Sequence, residues 1–208
     1  KHPFAWKVLG AILGATGRKS EAVDANQTAV ALSPHDAAAH SNLGNTLKEL
    51  GRLDEAEASC LKAIALKPDF TEAYNNLGNT LKELGRLEEA EASYRQAIAL
   101  RPDFAEARSN LGNTLHEQGR LDGASANSRQ AIILKPELAE AYSNLGNTLY
   151  ELGRLDEAEA NCRQAIALKP DYIKALHNLS FILSYKNNLE AEIVSLKNIL
   201  QIDSDNYG

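Results

Sequence analysis

The sequence predicts an all-α protein built from a repeated pair of helices, and three observations lead to this prediction. The pentapeptide Leu-Gly-Asn-Thr-Leu begins at Leu43, Leu77, Leu111 and Leu145, so that successive copies are 34 residues apart. A fixed period of this length is typical of solenoid proteins. Apolar and small residues follow a helical spacing within each period, and each period has glycine and proline at positions suited to ending helices.

Prolines in one register divide the chain into six blocks of 34 residues, which we interpret as a single array over residues 3–206. The third and fifth blocks are identical at 26 of 34 positions, so the blocks are expected to share one local structure, and the sixth is degenerate. The sequence has no methionine, and we expect it to be a piece of a longer chain. The blocks are 3–36, 37–70, 71–104, 105–138, 139–172 and 173–206.

The third block shows how each helix is predicted. Residues 72–84 carry small and apolar residues at helical spacing, and Gly85 is suited to a left-handed C-cap. Residues 87–100 continue the spacing until Pro102, because proline disfavours helix at the residue before it. Asp69-Phe-Thr-Glu72 stands where a capping box would start the first helix. Each block therefore predicts a helix-turn-helix.

One glycine lies inside each regular first helix, where it costs about 1 kcal/mol relative to alanine. This cost is explained if the second helix crosses there, with small alanines as the opposing surface. The glycines are Gly44, Gly78, Gly112 and Gly146, and the alanines are Ala56, Ala90, Ala124 and Ala158.

Composition and short motifs exclude several classes of function. A net charge of −6 and a pI near 5.4 argue against a nucleic-acid partner, and no apolar run predicts a membrane span or a signal peptide. Cys60 and Cys162 occupy equivalent places in distant blocks, so we expect buried apolar side chains rather than a disulfide. Histidines lack metal-ligand spacing and serines lack a nucleophile elbow. We expect a cytoplasmic protein without enzyme activity, cofactor or metal.

The repeated residues resemble those of tetratricopeptide repeats. In the fifth block, the signature places hold Tyr142, Leu145, Gly146, Leu149, Gly153, Ala158, Cys162, Ala165 and Pro170, with cysteine in the place of the usual aromatic residue. The resemblance covers residues 3–206 and implies a right-handed α-solenoid superhelix whose first helices line a concave groove.

The groove implied by this resemblance would be lined with asparagines. A carboxamide offers both a donor and an acceptor, as a peptide backbone does, so a row of them is suited to holding an extended chain. Beside it, one position varies among nearly identical blocks, which we interpret as a specificity determinant. The first row is Asn45, Asn79, Asn113 and Asn147; the second is Asn42, Asn76, Asn110, Asn144 and Asn178; the variable position holds Lys48, Lys82, His116 and Tyr150.

Three functions are consistent with these patterns. The first is a protein-interaction scaffold that binds an extended peptide or a partner helix, with a preference for neutral or basic segments because the groove carries glutamates. The second rests on a resemblance of Asn144-Leu-Gly-Asn147 and Gly153-Arg-Leu-Asp-Glu-Ala158 to the arm of O-linked N-acetylglucosamine transferases and related bacterial transferases. The chain would then recruit substrate for a glycosyltransferase-like or sulfotransferase-like domain outside this sequence. The third is a self-assembling structural array.

The self-assembly alternative depends on the sixth block. Its second helix is predicted to be strongly apolar, with few residues after it, and no polar capping helix is evident. We expect this surface to be covered by more chain or by another copy of the protein. The residues are Ile193, Val194, Leu196, Ile199, Leu200 and Ile202.

Overall fold

The computed structural model describes residues 2–186 and residue 193, and in this part of the chain the helices account for all of the regular secondary structure. The helices occur in pairs, one pair in each of the first five blocks and a first helix in the sixth, which confirms the all-α solenoid of helix-turn-helix repeats. They are α1 Pro3–Ala15, α2 Lys19–Leu32, α3 Ala37–Glu49, α4 Leu53–Leu66, α5 Thr71–Glu83, α6 Leu87–Leu100, α7 Ala105–Glu117, α8 Leu121–Leu134, α9 Ala139–Glu151, α10 Leu155–Leu168 and α11 Ile173–Tyr185.

The chain divides into two compact units, residues 1–102 and 103–208. Unit 1 contains α1 to α6, and unit 2 contains α7 to α11. Within each unit a first helix packs against its own second helix, the second helix of the preceding pair and the preceding first helix. The apolar core follows these contacts, as in the cluster of Val23, Leu43 and Leu47 in unit 1 and that of Leu145, Leu149 and Leu183 in unit 2.

The turn between the paired helices is closed by a Schellman motif, as at Gly85. The Arg86 amide donates to the Leu81 carbonyl at 2.9 Å, and the Gly85 amide donates to the Lys82 carbonyl at 3.0 Å. Gly85 has φ 76°, the left-handed region that glycine adopts without a Cβ penalty. The C-cap prediction for this glycine is therefore confirmed.

The prediction of a capping box at Asp69 is wrong. The N-cap of α5 is Phe70, which makes no side-chain cap hydrogen bond, so Asp69 lies one residue too early and Glu72 occupies the second helical position. Glu72 instead pairs with Arg101 at 2.8 Å. Helix α3 is different because Asp36 occupies its N-cap and accepts from the amides of Ala38 and Ala39.

The paired helices approach each other most closely at the predicted glycines. A Cβ built on Gly44 would lie 2.6 Å from Cys60 Sγ and 3.1 Å from the Ala56 carbonyl oxygen. One built on Gly146 would lie 2.6 Å from Cys162 Sγ. Since real Cβ atoms are almost never closer than 3.0 Å to such neighbours, only glycine fits. The alanines predicted to oppose these glycines are fully buried, which confirms the crossing.

Arginines of the turns form ion pairs at the start of the second helices. The guanidinium of Arg52 at the N-cap of α4 donates two hydrogen bonds to Glu55, at 2.7 Å and 2.6 Å, and Arg154 forms the same pair with Glu157. The hydrogen bonds from Arg52 lower the pKa of Glu55. These pairs have i to i+3 spacing, and the second helices also contain pairs with i to i+4 spacing, as between Arg95 and Glu91.

The apolar second helix predicted for the sixth block lies outside the described residues, apart from Ile193. That residue is helical and 44% exposed. Self-association through this surface stays a prediction.

The glycine crossing predicts a strong contrast between two identical substitutions in unit 1. Gly44→Leu should lower the free energy of unfolding by about 1 to 3 kcal/mol or more, because the side chain would overlap Cys60 and the Ala56 carbonyl. Gly14→Leu is the matched control, since a Cβ added at Gly14 would have no atom within 4 Å. Thermal unfolding followed by circular dichroism tests the contrast, and equal melting temperatures for the two variants would contradict it.

The cap at Asp36 predicts a stability effect that depends on pH. Burial by itself raises the pKa of Asp36, but hydrogen bonds from Lys7 and from the amides of Ala39 and Ala38 lower it below its ordinary value. Asp36→Ala should therefore cost about 1 kcal/mol at pH 7. Because the folded-state pKa is lowered, this contribution is present above the unfolded-state pKa and disappears as the pH falls through the folded-state pKa.

Urea unfolding at pH 7 and at about pH 2.5, below the usual carboxyl range, measures this difference. Asp69→Ala is the control, because it removes a carboxylate that precedes the N-cap of α5, and it should change stability by less than about 0.5 kcal/mol. A deficit in Asp36→Ala that is as large in acid as at neutral pH would contradict the assignment.

Candidate functional site

The surface that carries most of the predicted site residues is formed by the first helices, and we call it the first-helix face. In unit 1 it consists of α1, α3 and α5, which contact one another in sequence, and in unit 2 of α7, α9 and α11. Each first helix contains 13 residues and places its buried leucines and glycine against the second helices. Some intervening polar residues, such as Thr46, are buried with them, whereas others, such as Asn42 and Asn45, are more exposed.

The second asparagine row joins neighbouring first helices. Asn76 Nδ2 donates to Ser41 Oγ at 3.1 Å, and Asn144 Nδ2 donates to Ser109 Oγ at 3.1 Å. Asn178 repeats this contact with Ser143 at 3.3 Å. The donors of these side chains are thus used between repeats, which sequence reasoning did not anticipate. The remaining members are Asn42, which is exposed, and Asn110, which is half-buried.

The first asparagine row is half-buried, and two of its members contact solvent-exposed carboxylates. Asn45 Nδ2 donates to Glu49 at 3.1 Å, and Asn113 Nδ2 donates to Glu117 at 2.7 Å, each within its own helix. Both contacts are exposed, and Asn113 Oδ1 also accepts from Lys174 Nζ of α11 at 3.0 Å. The other two members have different contacts: Asn79 Oδ1 accepts from the Tyr94 hydroxyl at 2.7 Å, and Asn147 Nδ2 lies 3.0 Å from His116 Nε2.

The variable position pairs with the residue 35 places later, on the next first helix. Lys48 Nζ lies 3.4 Å from Glu83, and His116 Nε2 lies 3.0 Å from Glu151. Tyr150 instead stacks edge to face with Tyr185, with ring centroids 6.0 Å apart.

This pairing gives a structural account of the variation. The partner of the variable residue is glutamate where that residue is Lys48 or His116, and tyrosine where it is Tyr150. A comparison of positions 35 apart in the sequence would have revealed the pairs. Lys82, the fourth member, is half-buried.

A cavity of about 520 Å³ opens on the first-helix face of unit 1. Gly10, Ala11 and Gly14 of α1 line this cavity, as do Asn42 and Asn45 of α3. Carboxamides of α5, from Asn75 and Asn76, complete it. Members of the first and second asparagine rows, which were predicted separately from the sequence, thus line the same cavity.

Asn26 of α2 also lines this cavity, and sequence reasoning missed it. The side chain is only 1% exposed, and its Nδ2 donates to Thr46 Oγ1 at 2.8 Å. Its Oδ1 is buried without a hydrogen-bond partner. The available signal in the sequence was a polar residue at a position that holds Cys60 and Cys162 in other blocks.

Acidic groups border the cavity. Glu49 and Glu72 lie on its walls, and Glu72 is paired with Arg101. The Glu49 carboxylate accepts the exposed hydrogen bond from Asn45. Both carboxylates therefore already have a partner within the protein.

The two thiols are unsuited to nucleophilic chemistry. Burial raises the pKa of Cys60 and of Cys162 to about 12, so both stay protonated at neutral pH. Both are free and buried, as predicted. Within residues 2–186 and residue 193, no group of three or more His, Cys, Asp or Glu side chains is arranged to hold a metal ion.

The helices described by the structure include none that is long and apolar enough to span a membrane.

Comparison with known families identifies the repeats. A family model described as TPR repeat matches residues 78–119 and 112–153. Models described as Tetratricopeptide repeat match residues 37–70 and 139–172, and residues 59–92. Together the matches span residues 37–172, more than half of the 208 residues. The chain belongs to the tetratricopeptide repeat (TPR) family, whose repeats serve as protein-interaction scaffolds.

Solved structures with the same fold agree with this assignment. A thermophilic TPR protein of Thermus thermophilus is 25% identical with a TM-score of 0.77, over 88% of this chain and 99% of that one. The TPR protein YrrB is 24% identical with a TM-score of 0.62, over 88% and 94%. The APC/C hetero-tetramer Cut9-Hcn1 is 20% identical with a TM-score of 0.89, over 96% and 40%. No curated protein matches the sequence significantly.

The different contacts of the two asparagine rows predict different effects on stability. Asn144→Ala should lower the free energy of unfolding by about 1 to 3 kcal/mol, because Asn144 is 8% exposed and the change removes its hydrogen bonds with Ser109 and Lys174. Asn45→Ala, which removes only an exposed hydrogen bond to Glu49, should change it by less than about 0.5 kcal/mol. Chemical unfolding measures both values, and equal losses would contradict the distinction between the rows.

Proposed function

We propose that the protein is an interaction scaffold that holds an extended peptide segment of a partner protein on its first-helix face. The observation that carries this proposal is the cavity on unit 1, which is lined by the asparagines Asn42, Asn45, Asn75 and Asn76. Carboxamides match the alternating donors and acceptors of a peptide backbone without requiring a particular side chain. Such a surface is suited to binding the main chain of a partner peptide.

The spacing of the repeats fits an extended peptide. Neighbouring packed helices lie roughly 10 Å apart, and an extended chain advances about 3.3 Å per residue. One carboxamide of the first row would therefore meet the peptide about every third residue. Between these contacts, peptide side chains would face the variable position, where Lys48 and His116 are already paired with glutamates.

The charge of the face supports a neutral or basic partner segment. Glu49, Glu117 and Glu151 lie beside the first asparagine row, and the whole sequence has a net charge of −6. Association with an acidic segment would be opposed at long range. Among the solved TPR structures, YrrB is described as having an unusual peptide-binding site. The transferase-arm and self-assembly alternatives stay predictions.

The proposal is tested with two fluorescein-labelled extended peptides, one alternating alanine with lysine and one alternating alanine with glutamate. The lysine peptide should bind more tightly at low salt. Asn45→Ala combined with Asn42→Ala should weaken its binding about 5- to 30-fold, since each lost hydrogen bond is worth about 1 kcal/mol. Fluorescence anisotropy measures both effects.

Asn161→Ala is the matched control because it removes a carboxamide from the second helix α10, where Asn161 donates to the Glu157 carbonyl. It should leave the affinity unchanged. Equal affinity of the double variant and the original chain, or tighter binding of the glutamate peptide, would overturn the proposal.

A further inference from the structure

The second helix of the fourth repeat, α8, differs in charge from the second helices α4, α6 and α10. It carries one acidic residue, Asp122, whereas each of the other three helices carries three. Gly123 and Ser125 stand at positions where those three helices have glutamate. On a chain with a net charge of −6, α8 is therefore the least acidic of these four helices.

The absence of a glutamate at position 125 changes the contacts of the arginine one turn later. Arg95 of α6 and Arg163 of α10 each pair with a glutamate four residues earlier, at 2.6 Å and 2.9 Å. Arg129 of α8 has Ser125 at that place, and its Nε lies 3.4 Å from the Ser125 hydroxyl oxygen. Its Nη2 lies 3.5 Å from the carboxylate of Glu157 on α10.

These contacts leave the Arg129 guanidinium able to bind a further carboxylate. Both distances are longer than the range of about 2.7 to 3.2 Å that is usual for N–H···O hydrogen bonds. Glu157 is itself held by Arg154, which donates two hydrogen bonds to it at 2.7 Å and 2.8 Å. Since the Arg129 side chain is 43% exposed, a carboxylate of a partner can approach it from solvent and bind at shorter distances.

An apolar cavity of about 270 Å³ adjoins Arg129. Ile133, one turn further along α8, is 68% exposed, and the equivalent residues of the other three helices are Ala65, Ala99 and Ala167. An exposed isoleucine contributes favourable free energy when a partner covers it. The cavity is lined by residues of α8, α9 and α10, which are Arg129, Ile132, Ile133, Tyr142, Leu145 and Asn161.

We propose that this cavity binds a segment of a partner protein in which an aliphatic residue stands next to an acidic residue. The aliphatic side chain packs against Ile133 and Leu145, and the carboxylate pairs with Arg129. Arg129 and Ile133 are four residues apart on α8, so they lie on one side of the helix, roughly 5 to 6 Å apart at Cβ. Two neighbouring side chains of one segment can therefore reach both.

The charges beside the cavity select an acidic segment over a basic one. Arg129, Arg154 and Glu157 form a contiguous group of two cations and one anion, which has a net positive charge. The first-helix face was assigned the opposite preference, for neutral or basic segments. The two surfaces consist of different residues, so this inference does not depend on the proposed peptide-binding function.

The test uses three dipeptide probes that are acetylated and amidated, so that their ends carry no charge. They are N-acetyl-leucyl-glutamyl amide, its glutamine analogue and N-acetyl-alanyl-glutamyl amide. Each is titrated into the full ¹⁵N-labelled chain at about 0.15 M salt and followed by NMR. We expect the leucine–glutamate probe to shift the amide resonances of Arg129 and Ile133.

The other two probes measure the two halves of the site. The leucine–glutamine probe has the same shape without the charge, and it should bind about two- to fivefold more weakly, the loss expected for one exposed ion pair. The alanine–glutamate probe should bind about tenfold more weakly, because it buries less apolar surface against Ile133.

Two substitutions give α8 the residues of the other second helices and should therefore keep the fold. Ser125→Glu supplies a carboxylate four residues before Arg129, as in α6 and α10, and should abolish the preference for glutamate over glutamine. Ile133→Ala should weaken the binding of both leucine probes about fivefold. Leu61→Ala is the matched control, because it removes a 48% exposed side chain from α4 in unit 1 and should leave every affinity unchanged.

Each half of the inference can fail separately from the proposed peptide function. Absent shifts, or equal affinities of the glutamate and glutamine probes for the original chain, would overturn the acidic preference. Unchanged leucine binding in Ile133→Ala would overturn the apolar contact. Binding of the lysine peptide, which is measured through Asn45→Ala with Asn42→Ala, decides the first-helix face alone.

Discussion

The contact on which the rest of the structure depends is the crossing of the two helices of each repeat at a single glycine. At Gly44 the first helix lies so close to α4 that the Ala56 carbonyl oxygen would be 3.1 Å from an added Cβ. This approach holds the buried leucines of α3 against the second helices. The same crossing recurs at Gly146 in unit 2. With one side of each first helix held in this way, residues such as Asn45 lie on its more exposed side.

Polar groups on the first-helix face serve two purposes that the sequence does not separate. Asn144 and Asn76 use their carboxamides to join neighbouring first helices, so they are part of the framework. Asn45 donates to an exposed carboxylate within its own helix, whereas Asn113 donates to Glu117 and also accepts from Lys174 of α11. A ligand that replaces an exposed contact loses little, whereas replacing a buried one leaves unsatisfied groups behind. The functional proposal therefore rests most on carboxamides with exposed contacts at the unit 1 cavity, such as Asn45.

Single-residue differences between repeats change the contacts that form on the first-helix face. Tyr94 donates to Asn79 of the first asparagine row in the third repeat, whereas Asn26 packs against Gly10 and donates to Thr46 in the first. Likewise, Tyr150 meets Tyr185 where Lys48 meets Glu83. The variable position was interpreted from the sequence as a specificity determinant. In the structure, part of its variation follows the residue that it contacts on the next first helix.

The sequence by itself determined the helices, the turn glycines such as Gly85 and the helix crossings, because these depend on local periodicity and on steric limits within 34 residues. The sequence placed the cap of α5 at Asp69, one residue too early. The spacing of apolar residues does not determine the first residue of a helix to within one position. Only the tertiary structure decided which carboxamides are used between helices and that Asn26 borders a cavity. The hydrogen bonds of these carboxamides and the position of Asn26 depend on contacts between repeats. A sequence motif that repeats within each block does not indicate which residues of neighbouring blocks are in contact.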